Sequence, residues 1–388
     1  MSNKSFLSFS SDDFALSTDL YELTMAAAYF DQHVDQRAVF ELFVRDMPRN
    51  RGYLVFAGLE QIVEYFQALH FTGEDIDFIR SLPPFSHVSS KFFEYLREFQ
   101  FSCDVDAMHE GTIFFPAEPV LRVEGPVIEA QIVESFVLSV VNFESLIATK
   151  TARIVSAAKG KGVVEFGLRR AHSPMAGLLG ARASIVGGCE STSNVLTAKR
   201  AGVKTVGTMA HSWVMNFPSE KESFLAFYKV FPDSTIFLVD TYDVKHAVQT
   251  VVEMGLPQFQ GVRLDSGNLE KLSVEVRRIL DKAKCKQAMI FATGDLNEYI
   301  IEQLVHDKAP IDAFGVGTEL ITSRDDPALG GIYKLVAIKK EGVYHYKLKL
   351  STLKRTLPGL KQVYRMKDGT HYSEDFLVEI NEKPPKGG

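Results

Sequence analysis

Residues able to do chemistry gather in the second half of the 388-residue chain, at four glycine-marked points. Segment 207–212 reads Gly-Thr-Met-Ala-His-Ser and 261–267 reads Gly-Val-Arg-Leu-Asp-Ser-Gly. Segment 293–295 reads Thr-Gly-Asp and 314–318 reads Phe-Gly-Val-Gly-Thr. Each follows a short apolar run and precedes a helix-like stretch. Brought to one face, they offer His211, Arg263, Asp265, Asp295 and two glycine turns with backbone N–H groups. That set suits a phosphorylated sugar: it binds an anion, orients a diol and can carry a phosphoryl group.

Arg263 and Asp265 alternate along a strand end, so their side chains point to one side. A guanidinium fork there takes a phosphate or carboxylate. The neighbouring carboxylate accepts ribose hydroxyls or holds Mg²⁺ through water. The competing reading is an internal Arg–Asp ion pair closing the sheet end. Ser266, Gly294, Asp295, Gly315, Gly317 and Thr318 make the expected phosphate set. Glycine lets a backbone approach an anion closely, and the last two βα turns of a barrel are a frequent phosphate site. Two ordinary turns that need positive φ would leave the same glycines.

His211 lies at another strand end, where an oriented neutral imidazole is a nucleophile and a phosphoryl acceptor. Asp240, closing the most apolar strand, is expected to orient it. The plainer alternative is a histidine packed beside Trp213. Arg169 and Arg170 form a cationic corner after the first strand, suited to an anion or to solvent. Phe166, just before them, is either a stacking face for a flat ring or core. Thr18 and Asp19 precede an apolar helix and read as its N-cap.

These points need a scaffold that collects them. From about residue 160 onward, apolar runs at 163–166, 183–187, 203–206, 235–239, 260–264, 288–291 and 311–314 read as strands. Helix-like stretches at 191–201, 244–254, 269–282 and 297–306 lie between them. Apolar strands without alternation are buried on both faces of a parallel sheet, and the spacing matches βα crossovers. Polar residues closing nearly every strand favour a barrel over an open sheet. Upstream, 16–29 and 53–69 read as helices, 38–44 as a strand, 111–126 as short strands, and 128–158 as a long apolar helix with a bend. Residues 334–380 are strand-like, with turns at Glu341-Gly342 and Asp368-Gly369. They have no helices to build βαβ units and are expected to return to the N-terminal sheet. The expected fold is α/β: an irregular TIM-like βα barrel with a discontinuous second α/β domain made from both chain ends. Its parts are residues 1–125, 126–335 and 336–388.

The formal net charge of −6 provides no basic field for nucleic acid. No apolar stretch is expected to approach the ~20 residues a membrane helix needs, and the polar start has no secretory-signal pattern. The three cysteines, Cys103, Cys189 and Cys285, show no paired metal spacing. A cytoplasmic protein is expected.

Taken together, segments 18–25, 166–174, 193–196, 207–212, 239–243, 261–267, 314–318 and 333–336 resemble nicotinate phosphoribosyltransferases in order and spacing, over about 17–380. The resemblance implies synthesis of nicotinate mononucleotide from nicotinate and phosphoribosyl pyrophosphate, with Mg²⁺ and coupled to ATP hydrolysis. It implies a homodimer whose active sites span the interface. His211 then matches the histidine phosphorylated by ATP, and Asp240 its orienting carboxylate. Arg263 and Asp265 engage the phosphoribosyl diphosphate and its Mg²⁺, and the glycine segments hold the 5′-phosphate. Phe166, with Tyr21 of a second subunit, sandwiches the pyridine ring. Arg169 and Arg170 face the anionic groups, Ser191 borders the ring pocket, and Arg45 reaches in from the second subunit. One departure is Cys189-Glu190 before Ser191, where relatives tend to carry an aromatic residue and an Asp. It leaves open a nicotinamide-preferring phosphoribosyltransferase. From another class, a catalytically silent nucleotide-binding regulator stays open too.

Overall fold

The structure is a computed structural model that describes residues 6, 9–349 and 357–383. The chain forms two compact units, one of residues 1–145 with 328–388 and one of residues 146–327. These limits differ from the 125/126 and 335/336 boundaries read from sequence. Helix Glu134–Ala157 starts in the first unit and ends in the second. Strand Gly331–Lys340 belongs to the first, because it pairs along Arg37–Val44.

The second unit is built on seven parallel strands. The ladder runs Lys204–Thr205, Ser191–Thr192, Gly162–Glu165, Ala313–Val316, Met289–Ala292, Gly261–Leu264, Ile236–Leu238. The first strand of the series therefore lies beside the last, and the sheet curls back on itself. Val164, Ile236 and Phe291, from three strands that are not neighbours, share one buried cluster. No hydrogen-bonded ladder joins Lys204–Thr205 to Ile236–Leu238, so the barrel has an open seam there. Helices start directly after several strand ends because a cap residue follows the site residues. Asp243, Asn268 and Asn297 each accept an N–H of the first helical turn. In Leu269–Lys282 the buried Ser273, Val276 and Leu280 recur at helical spacing and face the sheet.

Several assignments change. Residues 183–187 are no strand but the end of helix Pro174–Val186. A short apolar run looks alike in a buried helix and a buried strand; here the Ser173 cap and Pro174 at the first helical position decide it. The expected helix at 191–201 is strand Ser191–Thr192, then helix Val195–Ala201 capped by Asn194. The expected helix at 53–69 is strand Leu54–Val55, then helix Leu59–Ala68.

The first unit carries a five-stranded antiparallel sheet, ordered Val343–Tyr346, Gly331–Lys340, Arg37–Val44, Leu121–Pro126, Asp104–Ala107. Positive φ at Glu341 and Gly342 makes the tight turn between the first two. The later hairpin, Lys361–Asp368 with His371–Glu379, pairs only with itself and does not extend that sheet. It is tied to it at Lys361, whose backbone N–H and Nζ both reach the buried Glu41 carboxylate, at 2.9 and 2.6 Å. Residues 350–356 lie outside the described residues.

Segment Val127–Ala157 is helical over 31 residues, and by length and composition it is apolar enough to cross a membrane. The expectation that no apolar stretch approaches that length is corrected by this helix. Glu144, Thr149, Lys150 and Thr151 on it are fully buried, which marks the core helix of a globular fold.

At Gly261 a Cβ would lie 2.2 Å from the Met289 carbonyl oxygen of the adjacent strand. Gly261→Ala is expected to destabilise the barrel unit by about 1–3 kcal/mol, as overpacking against backbone does. Urea unfolding of the variant beside the parent checks this.

Candidate functional site

All the strand-end side chains expected in the barrel lie at the C-terminal ends of its strands. Arg263, the third residue of Gly261–Leu264, has only 13% of its side chain exposed. Its Nε donates to Thr293 Oγ1 at 2.8 Å, its Nη1 to Thr208 Oγ1 at 2.8 Å, and its Nη2 to Asp265 Oδ1 at 2.6 Å. The internal Arg–Asp pair is thus formed, and three of the five guanidinium N–H groups are engaged. Arg263 Cζ lies 5.8 Å from the centre of the Phe166 ring, within cation–π range. Phe166 meets Phe291 edge-on at 5.5 Å and keeps part of its surface open.

His211 begins the five-residue helix His211–Met215, with 40% of its side chain exposed. Its Nδ1 is 3.1 Å from Thr241 Oγ1. Its Nε2 is 3.7 Å from Asp265 Oδ2 and 4.0 Å from Asp240 Oδ1. The direct contact orienting the ring therefore comes from Thr241, while Asp240 acts at a distance as a charge. Asp240 is almost fully buried. Its Oδ2 accepts the Asp265 N–H at 3.1 Å and the Ser266 hydroxyl at 2.5 Å, whereas its Oδ1 has no hydrogen-bond partner. Trp213 turns away, its indole N–H bonded to the Ser223 carbonyl and its rings against Phe217 and Phe227. The packed-histidine alternative does not describe these contacts.

Asp265 is pushed up by burial, but the Thr293 hydroxyl and the Arg263 guanidinium more than offset this and hold it below the usual carboxylate range. Its Oδ1 accepts from both.

The glycines serve different ends. Gly294 has φ +93°, and a Cβ there would sit 1.9 Å from the Asp265 carbonyl oxygen. Asp295 beside it is also left-handed, at φ 44°. Gly315 is not in a turn; it lies inside strand Ala313–Val316, where a Cβ would strike Thr293, Phe291 and Phe166. Gly317 has negative φ and a Cβ there would lie 3.1 Å from the Phe166 carbonyl oxygen. Thr318 opens the short helix Thr318–Ile321. Ser266, expected on phosphate, donates its hydroxyl to Asp240.

Arg169 and Arg170 are exposed in the 3-10 turn Leu168–Arg170. Ser191 is buried in its strand and Glu190 is exposed. The buried acid of this region is Glu165, which sequence reading passed over. One carboxylate oxygen accepts the Gly167 N–H, and the other the Thr192 hydroxyl at 2.5 Å. Burial pushes its pKa up despite both bonds. Also missed were Thr208, Thr241 and Thr293, although each stands within three residues of a strand's end. Tyr21 and Arg45 belong to the first unit. Tyr21 is 44% exposed on helix Leu20–Asp31. Arg45 follows strand Arg37–Val44, half-buried, with no hydrogen-bond partner for its Nε.

Among the described residues no three His, Cys, Asp or Glu side chains gather to hold a metal. Asp265 has one oxygen committed to Arg263 and Thr293 and the other towards His211. This donor set fits a cation carried in by a diphosphate and met through water, not a cage built by the protein.

Residues 16–142 match the family model for the nicotinate phosphoribosyltransferase N-terminal domain, and residues 162–352 match that for the nicotinate phosphoribosyltransferase family. A nicotinate phosphoribosyltransferase of Mycobacterium tuberculosis is 43% identical over 376 residues, covering 96% of this chain and 80% of that protein. A nicotinate phosphoribosyltransferase of Bacillus subtilis is 41% identical, covering 97% and 78%. The crystal structure of human nicotinic acid phosphoribosyltransferase is similar with a TM-score of 0.82 at 30% identity, over 95% of this chain and 82% of that one.

A carboxylate with a lowered pKa keeps its charge above the ordinary range and loses it only as pH falls through the lowered value. Removing the hydroxyl in Thr293→Val raises the Asp265 pKa. The acid limb of the pH–activity profile should then move to higher pH than in the parent, as read from kcat/KM between pH 4 and 8.

Proposed function

The chain belongs to the nicotinate phosphoribosyltransferase family, and on that premise we propose that it couples phosphoribosyl transfer to ATP through His211. In this reading it joins nicotinate to phosphoribosyl pyrophosphate, giving nicotinate mononucleotide and pyrophosphate. The observation that carries the coupling is one barrel end where a partly exposed imidazole faces two carboxylates, one of them paired with the Arg263 guanidinium.

The pyridine nitrogen of nicotinate attacks the anomeric carbon; a C–N bond forms as the C–O bond to diphosphate breaks and the diphosphate leaves with the electron pair. The nucleophile is weak and needs positioning more than proton transfer. Phe166 offers one stacking face. Arg169, Arg170 and the two unengaged N–H groups of Arg263 offer positive charge to the carboxylate and diphosphate. Gly294, Asp295, Gly317 and Thr318 line the 5′-phosphate end. A Mg²⁺ held by the diphosphate would offset charge on the leaving group. Asp265 is the side chain placed to meet it through water.

In the relay, the carboxylates favour a proton on Nε2 of His211; the Nδ1 lone pair, which faces the Thr241 hydroxyl, is the nucleophile once that contact opens. Nδ1 bonds to the γ-phosphorus of ATP while the bridging P–O bond breaks and ADP departs. Asp240 Oδ1, buried and without a hydrogen-bond partner, supplies counter-charge to the resulting imidazolium.

A homodimer completes the site in this reading. Leu20, Tyr21 and Met25 are exposed on helix Leu20–Asp31, with Tyr21 and Met25 one turn apart, which supports a face that a second copy covers. Tyr21 and Arg45 then act in trans. The exposed Glu190 favours nicotinate over the neutral amide, since no acid at that position points inward. Three free cysteines suit a reducing cytoplasm.

Turnover with nicotinate should far exceed turnover with nicotinamide; equal rates would reassign the substrate to the amide. His211→Asn should fold, keep slow ATP-independent transfer and lose ATP hydrolysis. ATP hydrolysis at the parent rate in that variant would refute the relay. Mixing Tyr21→Ala with His211→Ala chains should restore part of the ATP-coupled activity through hybrid dimers; none, despite proven subunit exchange, would exclude a site shared in trans.

A further inference from the structure

Lys150 sits on the apolar helix Glu134–Ala157 and is 0% exposed. Its Nζ lies 2.6 Å from Glu298 Oε2, 2.9 Å from Asp325 Oδ1 and 3.8 Å from Glu319 Oε2. Arg153, almost one turn further along, places its Nε 3.1 Å from Glu298 Oε1 and donates from Nη2 to the Tyr299 hydroxyl at 3.0 Å. A lysine is rarely fully buried unless paired. This one is paired with three acids that come from two separate loops.

Those loops are the two proposed for the 5′-phosphate. Glu298 is the first residue of helix Glu298–His306, three residues after Asp295. Glu319 directly follows Thr318 in helix Thr318–Ile321. A carboxylate in a first turn suits the helix dipole, but it repels a phosphate bound at the same end. Salt screens that repulsion little at a buried position.

We propose that Lys150 is a positioning residue for the phosphoribosyl substrate: it ties loops 293–298 and 317–325 to one point and cancels the acids behind the phosphate. The inference rests on the proposed function. It requires two opposite effects. Losing the cation must weaken phosphate binding, and losing one of its acids must strengthen it. A strut that only holds the fold together produces the first effect and not the second.

The test is steady-state KM for phosphoribosyl pyrophosphate and for nicotinate, on the full chain. Lys150→Met should raise the first KM about tenfold or more and leave the second within about twofold, because breaking a buried pair strands its acids. Glu298→Gln should lower the KM for phosphoribosyl pyrophosphate about two- to fivefold, since one repelling charge is gone. Lys150→Arg should stay close to the parent. A folded Lys150→Met that leaves that KM unchanged, or shifts both KM values alike, overturns the proposal, as does a Glu298→Gln with an unchanged or raised KM. Where Lys150→Met does not fold, Glu298→Gln decides alone. A parent chain without phosphoribosyl-pyrophosphate-dependent product would instead overturn the proposed function.

Discussion

Arg263 is the constraint on which the barrel end depends. An arginine with 13% of its side chain exposed must find partners for its guanidinium within the protein. It finds them on three different segments: Asp265 beyond its own strand, Thr293 after the next strand, and Thr208 from the far side of the open seam. The seam has no backbone ladder. It is crossed by side chains, from Thr208 to Arg263 and from His211 to Thr241. The residues that make the site also hold the barrel mouth together.

The same device recurs around the ring of strand ends. Asp240, after Ile236–Leu238, accepts from the backbone of Asp265 and the side chain of Ser266 after the next strand. Glu165, ending Gly162–Glu165, accepts from Thr192 at the end of its neighbour. Phe166 donates its backbone N–H to the Val316 carbonyl at 2.8 Å. The strands are two to four residues long and offer few ladder bonds. Polar side chains beyond the strands extend the pairing where the ladder has ended. Asp240 and Asp265, two like charges linked by one backbone N–H, are tolerable together because Arg263 and His211 face Asp265.

Much of this was legible because strand ends in a parallel sheet are punctuated by glycine and polar residues. Helix Leu269–Lys282 was readable to the residue from its apolar spacing and the turn before it. Arg263, Asp265, Asp240 and His211 were found as polar breaks after apolar runs. Their partners were not, because a threonine after a strand carries no distinctive signal. Residues 183–187 failed because the buried face of helix Pro174–Val186 is made of small residues, Gly177, Gly180, Ala181 and Ser184, which leave no apolar periodicity to read. Gly315 was read as part of a turn and lies inside a strand for another reason: its glycine answers to three side chains from elsewhere, Thr293, Phe291 and Phe166, and not to a backbone angle. Lys150 was invisible because a lone cation in an apolar helix has its explanation more than a hundred residues away.

The coupling of closure and chemistry restricts what a substrate can do here. In the proposed reaction, a diphosphate that took Arg263 from Asp265 would leave a half-buried carboxylate without its cation. It can use the two N–H groups not already engaged. Binding through those leaves the Thr208 and Thr293 bonds intact and keeps the seam stitched. In the proposed reaction Arg263 would then be a fixed surface of positive charge whose geometry is set before substrate arrives, which is the condition for stabilising charge that develops on a leaving group. His211 is under the opposite condition. Part of its ring is open, its Nε2 is beyond hydrogen-bond distance from either carboxylate, and Asp240 Oδ1 waits without a partner. The rigid cation and the loosely held imidazole share Asp265, so a change in the charge of one is felt at the other across a single carboxylate.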